Sequence, residues 1–264
     1  FILPFWEHPE KGKGRYIHQK EDGGYKIRSP WYDIEDTVRS PQEMAREIDR
    51  EDVKSGDIFF TIANIDKHIA LFAREPKYRF HVHFKPNTPN DAINKIFRRK
   101  DLSRISIKRG KKGPLRVWCE LMMDRPDQSK TYIFGVDISK GQGASNSVIS
   151  IKCKETGEKI AEWCDANTPP YEMARIAIAL AIWCGGRPPR RLPFLKWENN
   201  GPGWDFGKIV VRDFNYPYYH TKVKPGMIID KKAKNYGFQT NPQSKYELLA
   251  LYDRILAHGG YINH

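Results

Sequence analysis

In the second half of the chain, apolar and polar positions fall into short runs whose period switches between two and about 3.6. Tyr132–Ile138 (YIFGVDI) reads as a strand. Ser147–Cys153 and Ile160–Trp163 read as two more, joined through the turn at Glu155-Thr156-Gly157. The period then lengthens. From about Pro170 to Cys184 the body MARIAIALAIW is apolar nearly all round, which predicts a deeply buried helix. Thr168 is its expected cap, prolines occupy its opening turn, and Gly185-Gly186 stops it. Phe194–Glu198 is a fourth strand, Trp204–Phe214 a helix, Tyr218–Thr221 a fifth strand and Lys222–Asp230 a hairpin arm. A last helix runs over Pro242–His258 through Leu248, Leu249, Tyr252, Ile255 and Leu256, ended by Gly259-Gly260.

Upstream the pattern is less regular. A helix is expected from Ser40, with Pro41 at its first position and Glu43 completing a capping box. Asp57–Phe60 is a short apolar stretch, Asp66–Arg74 looks helical, and Tyr78–Phe84 alternates as a strand. Leu102–Ile107 and Leu115–Glu120 read as two strands around the turn Gly110-Lys111-Lys112-Gly113, a basic hairpin.

The order from residue 132 onward is three strands, helix, strand, helix, strand, helix. The first three make an antiparallel meander. The helical crossover that follows returns the fourth strand parallel to the first. The expected fold class is therefore α/β: a ribonuclease-H-like mixed sheet of three antiparallel strands then parallel strands, with helices on both faces, preceded by a mixed basic N-terminal extension.

Composition sharpens this picture. Over 264 residues the formal net charge is +13, an excess that points to a polyanionic partner. The cations concentrate in the hairpin region: Arg98, Arg99, Lys100, Arg104, Lys108, Arg109, Lys111, Lys112 and Arg116. Such a cluster suits a phosphate backbone, although any one of these residues serves equally as a charged sheet edge. Cys119, Cys153, Cys164 and Cys184 lack CxxC or zinc-ligand spacing and read as reduced thiols of a cytosolic protein. His81 and His83 fall on one face of a strand, which suits a metal pair, but surface or satisfied histidines are the ordinary case. No apolar run reaches the length of a membrane span, so no membrane is expected. The opening FILPFWEHPEKGKG does not read as a signal peptide and looks like a chain entered partway.

Two carboxylates stand out. Asp137 ends the first strand and runs into the glycine-rich turn SKGQG; Glu198 ends the fourth and meets NNGPG. A carboxylate at the tip of a buried strand is poorly solvated by protein alone. In the expected topology the two tips are neighbours, able to share divalent metal ions and so to hydrolyse phosphodiesters. Oxygen-only ligands suit Mg²⁺ or Mn²⁺. Ser139, Asn199 and Asn200 either orient ligands or serve as turn residues. Gly141 and Gly143 either admit DNA close to the backbone or only form the turn, and Lys140 is placed to touch DNA near a cut.

These residues resemble a known family, the large terminase subunit of tailed bacteriophages, a DNA-packaging motor. GVDISKGQGASNSV resembles its first nuclease strand and WENNGPG its fourth. KNYGFQTNPQSKYELLALYDRIL resembles the lead into its last helix. HPEKGKGRY, KIRSPWYD and SPQEMAREIDREDVKSGDIFF resemble the end of its ATPase domain and the linker. The resemblance implies residues 1–60 as that ATPase end and linker, 61–130 as a basic lead-in with hairpin, and 131–264 as the nuclease domain, cut short at its C-terminal part. It implies a metal-dependent endonuclease that cuts double-stranded DNA concatemers during genome packaging, with little sequence specificity. Asp137 would bridge two ions and Glu198 would bind one of them. It further implies the portal protein, the small terminase subunit and the procapsid as partners, in the host bacterial cytoplasm at the procapsid portal.

Two departures from the family stand beside it. No GxxxxGKS/T motif occurs, so the ATP-binding half is not in this chain. No third acid matches the family position; Asp253 is the fallback and Glu247 shares its helix. The competing readings are a non-catalytic DNA-binding or docking module of degenerate nuclease fold and an actin-like ATPase. The latter needs a second glycine-rich phosphate loop, which the chain lacks.

Overall fold

A computed structural model describes residues 4–19, 24–39, 43–49, 60–143, 145–185, 192–221, 236–259 and 261–264. These form two compact units, one of residues 1–72 with 242–261 and the other of 73–241 with 262–264.

The first unit holds a two-stranded antiparallel ribbon, β1 (Tyr16–Gln19) and β2 (Tyr25–Arg28), and helix α1 (Pro30–Val38). Ser29 caps α1 by accepting from Tyr32 N at 3.1 Å, and Pro30 occupies the first turn, where its missing N–H costs nothing. Arg28 ties ribbon to helix through Asp33 at 2.7 Å and Asp36 at 2.9 Å. Met44–Asp49 forms a wide-turned helical segment; the cap expected for it at Ser40–Pro41 lies outside the described residues, as does most of Asp57–Phe60. Helix α2 (Ile62–Phe72), which begins four residues before the expected Asp66–Arg74, packs on the last helix, α6 (Pro242–His258), which falls where the periodicity predicts.

The second unit is built on a seven-stranded mixed sheet. Its elements are β3 (Tyr78–Phe84), helix α3 (Asn90–Arg99), β4 (Ile105–Arg109), β5 (Leu115–Val117), β6 (Tyr132–Asp137), β7 (Ser147–Cys153), β8 (Lys159–Asp165), helix α4 (Pro170–Cys184), β9 (Phe194–Trp197) and the short helix α5 (Pro202–Lys208). The order across the sheet is β4-β3-β5-β8-β7-β6-β9, antiparallel throughout except for the parallel pair β6–β9. The run β8-β7-β6-β9 is the ribonuclease-H-like arrangement. One sheet face buries Phe134, Val136, Ile149, Ile151, Ala161 and Leu115 against α4, whose residues Met173–Cys184 are all buried. Arg125 fixes the far end of α4, donating to the carbonyls of Ile182 at 2.8 Å, Trp183 at 3.0 Å and Gly185 at 2.7 Å, the groups a helix C-terminus leaves unpaired.

Several expectations need correction. The strands on either side of Gly110–Gly113 do not pair with each other: β3 lies between them, antiparallel to both. The chain leaves β4 opposite Phe80 and begins β5 opposite Phe80, so the loop crosses over β3. That crossing explains the glycines. A Cβ on Gly113 would lie 2.4 Å from the Phe80 carbonyl carbon, and one on Gly110 2.9 Å from the His81 ring. Because β3–β5 extend the same sheet, the boundary expected at residue 130 falls inside one compact unit, and α6 groups with the first unit rather than with the sheet. Helix α3 was not expected at all; only Ile93 and Phe97 of it are buried. Thr168 does not cap α4. Its hydroxyl donates to Asp165 Oδ2 at 2.6 Å, and Pro169 holds the cap position without a side-chain bond. The helix expected from Trp204 starts at Pro202 and widens over Ile209–Asp213. Tyr218–Thr221 contributes isolated bridges, Tyr219 to Leu195 and Thr221 to Tyr236, and Lys222–Asp230 lies outside the described residues.

Candidate metal centre

Strand direction decides what meets at the site. β6 and β9 run parallel with Val136 opposite Trp197, so Asp137 and Glu198 are the next residues of each strand, on neighbouring strands about 4.8 Å apart. Both fall on the face away from the Phe134 and Val136 side chains, since side chains alternate. Burial raises the Asp137 carboxyl pKa above its ordinary value, and the Glu198 charge raises it further; the N–H of Ile138 pulls the other way. The expected pair is therefore close enough to repel.

Each tip is held by its own scaffolding. Trp197, one residue before Glu198, is buried among Phe206 at 5.6 Å, Tyr219 at 6.0 Å and Tyr236 at 6.1 Å. Gly207 and Gly237 are required beside it, because a Cβ at either would lie 2.8 Å from the indole nitrogen. Beyond the tip, the segment at Phe238 runs alongside: Phe238 N donates to Trp197 O and Asn199 N to Phe238 O, each at 2.7 Å. Asn200 Nδ2 donates to Glu198 Oε1 at 3.2 Å and to Thr240 O at 2.8 Å, so it orients the carboxylate. Gly203 lets the chain fold back under the tip, where a Cβ would sit 1.7 Å from Glu198 O.

Asp137 opens into a cleft of about 390 Å³ lined by Ser139, Lys140, Gly141, Asn146 and Pro202 among others. Its wall is a turn rather than a ligand set. Ser139 N donates to Ser147 Oγ at 3.0 Å, and Gly141 N to Ser139 Oγ at 3.1 Å. Gly141, with φ of +69°, packs so tightly on Pro169 N that a Cβ would lie 2.5 Å away. Lys140 is exposed at the rim.

The other expected residues separate. β3, β6, β8 and β9 all point the same way, so Phe84, Asp137, Asp165 and Trp197 mark one end of the sheet, and β4 starts there. Arg104, just before β4, is therefore at the acid end. Lys108 and Arg109 close β4 further down, and Arg109 and Lys111 line a cleft with Lys77 and Tyr78 at the start of β3. Lys112 belongs to the loop that crosses β3 at Phe80. Arg109 is also engaged, with Asp124 at 2.9 Å and stacked 4.8 Å over Tyr78. His81 and His83 share a face, as expected, and both are exposed. Asp253 belongs to the other unit, fully buried, where its Oδ1 accepts from Thr61 N at 3.5 Å. Among the described residues no three His, Cys, Asp or Glu side chains come together as a metal site. All four cysteines are free thiols, Cys153 and Cys184 buried.

The second unit is thus a ribonuclease-H-like α/β unit carrying two carboxylates, Asp137 and Glu198, at the C-terminal ends of adjacent parallel strands. No protein-family model matches the chain, and no curated protein does. Solved structures it is similar to include large terminase nucleases. One is from thermophilic phage G20c, at 16% identity and TM-score 0.37, covering 58% of this chain and 65% of that one. The same nuclease with bound magnesium gives 15% identity and TM-score 0.41, with 58% and 65% covered. The nuclease domain of Thermus phage P74-26 gives 15% and 0.38, with 58% and 63% covered. The chain therefore spans less than two thirds of each of these three, and likeness at this level says nothing by itself about what the chain does. Among the described residues no helix is long and apolar enough to cross a membrane.

Proposed function

We propose that the chain is a metal-dependent endonuclease unit that cuts double-stranded DNA during phage genome packaging, with Asp137 and Glu198 as its metal-holding acids. The observation that carries this is the pair itself: two carboxylates on adjacent parallel strands, one of them partly buried with its pKa raised by that burial and by the charge of the other. Such a pair is costly unless a cation neutralises it. The donor set fits Mg²⁺ or Mn²⁺, which bind through one or two carboxylates and complete their shell with water and substrate phosphate. When bound, divalent ions lower the pKa of a coordinated water and stabilise the leaving oxygen.

The chain's own residues do the rest. Asn200 aims the Glu198 carboxylate, the Trp197 clamp fixes where it emerges, and the Ser139–Ser147 bonds hold the turn that walls the Asp137 side. Lys140 at the rim offers a charge to a phosphate. Contacts to phosphate rather than to base edges match a cutter with little sequence preference. Portal protein, small terminase subunit and procapsid, met in the bacterial cytoplasm, are the partners this reading carries with it.

A second reading has one observation in its favour: among the described residues no third His, Cys, Asp or Glu joins the pair. That favours a DNA-binding module of the same fold without cutting activity. Plasmid cleavage with Mn²⁺ separates the two. The nuclease reading expects nicking and linearisation by the wild type and none by Asp137→Ala, with DNA binding retained. Tight binding without cutting by either protein sinks it.

A further inference from the structure

Resting on the reading of the acid pair as a DNA-cutting site, the geometry points to a second phosphate grip on the same end of the sheet: the cleft of Lys85, Lys95, Arg99 and Arg104, which holds the backbone of the duplex away from the cut. The cleft has a volume of about 310 Å³ and includes Thr88 and one carboxylate, Asp101, 3.6 Å from Arg104. Lys85, Lys95 and Arg99 are exposed, and no carboxylate pairs with any of them among the described residues. Three exposed cations lining one cleft that holds a single carboxylate offer charge-assisted hydrogen bonds to an oxyanion.

Position makes the anion a DNA phosphate. Lys85 follows the end of β3 and Arg104 precedes the start of β4, so both stand at the end where Asp137 and Glu198 stand. Five inter-strand steps separate β4 from β6, which is about 24 Å at 4.8 Å each. A duplex rising about 3.4 Å per base pair covers that in roughly seven pairs. The acids point away from α4, whereas α3, which carries Lys95 and Arg99, packs on α4; a duplex laid over the end of the sheet, rather than on one face, is what reaches both. The cations of the crossing loop, Lys111 and Lys112, are left out of the track, and their neighbour Arg109 is neutralised by Asp124.

The test is binding of a 20-base-pair duplex to the whole chain without divalent metal, followed by fluorescence anisotropy across a salt series. Replacing Lys85→Ala, Lys95→Ala and Arg99→Ala together removes three phosphate contacts. It is expected to flatten the slope of log K against log salt by about 2.7, at about 0.9 per contact, and to weaken binding at least about tenfold. Lys111→Ala with Lys112→Ala is expected to leave the slope in place. The proposal is overturned by no duplex binding in the wild type, by an unchanged slope in the triple variant, or by an equal loss in the loop variant. It is also overturned if inorganic phosphate saturates the cleft at micromolar concentration while the triple variant binds duplex as the wild type does, which makes it a small-anion site. Because no cutting is measured, the grip stands or falls apart from the nuclease: a chain that loses slope in the triple variant yet never cuts with Mn²⁺ sinks only the catalytic reading.

Discussion

The two ends of the seven-stranded sheet are built from the same strands but differ in how much of their charge is matched. At the end where β6 and β9 finish, Asp137 stands beside Glu198, and Lys85, Lys95 and Arg99 have no carboxylate partner among the described residues, while Arg104 meets Asp101 at 3.6 Å. At the other end, charges are matched. Arg109 meets Asp124, Lys77 meets Glu120, and Glu158 takes both Arg74 at 2.7 Å and His264 at 2.8 Å. Matched pairs at a surface contribute little and ask for nothing more. Unmatched groups leave charge open to a ligand, and in open α/β sheets the carboxyl ends of the strands are where ligands sit. The difference teaches that net charge was a blunt guide, since the density of Lys and Arg in residues 98–116 is spread over both ends.

The sharpest way to break this comparison is to remove the acids. Asp137→Asn or Glu198→Gln is expected to cut Mn²⁺-dependent cleavage by more than the roughly 10–100-fold that outer partners of metal ligands carry, with duplex affinity unchanged. A variant that cuts normally places the chemistry elsewhere. Next in size is Gly203→Ala, whose methyl would overlap Glu198 O; a loss of about 2–3 kcal/mol is expected, read as a thermal midpoint several degrees lower. Arg125→Ala, at the matched end, is expected to cost about 2 kcal/mol through the freed carbonyls of α4 while leaving metal affinity alone. If it weakens metal binding, the two ends are not independent.

A smaller effect sharpens the electrostatics. Ionised Asp137 suffers burial and the repulsion of Glu198, so without metal its folded pKa lies above its unfolded one. The folded state then holds that proton more tightly, and stability from this group falls as pH rises through the interval between the two values, remaining lower above it. Glu198→Gln removes the repulsion and is expected to move the Asp137 titration down, not fully to its ordinary range because burial remains. Carboxyl NMR titration of the metal-free protein reads this directly; an unmoved titration means the two groups do not sense each other.

Much of this was legible in the sequence because it depends on local period. YIFGVD, SVISIKC and FLKW alternate cleanly, and α4 is apolar on every side, so strands and helix fell where expected and brought the two acids to adjacent tips. What failed to show depends on contacts far apart in the chain. That β3 lies between β4 and β5 is written only in two glycines whose need appears once Phe80 and His81 are beside them. Helix α3 carries just two buried side chains behind Pro86 and Pro89, so its sequence looks like a loop. The Asn200 bond to Glu198 was one of two open roles for a turn asparagine, and only the position of Thr240 decides it.

The last three residues add a condition of time. Ile262 bonds to Gly157 O at 3.0 Å and receives Lys159 N at 2.8 Å, while the His264 ring stacks on Trp118 and reaches Glu158. All their partners leave the ribosome a hundred residues or so earlier. At a synthesis rate of about 5–20 residues per second, the sheet waits on the order of ten seconds for this fastening, with Trp118 and Glu158 held meanwhile by Arg74.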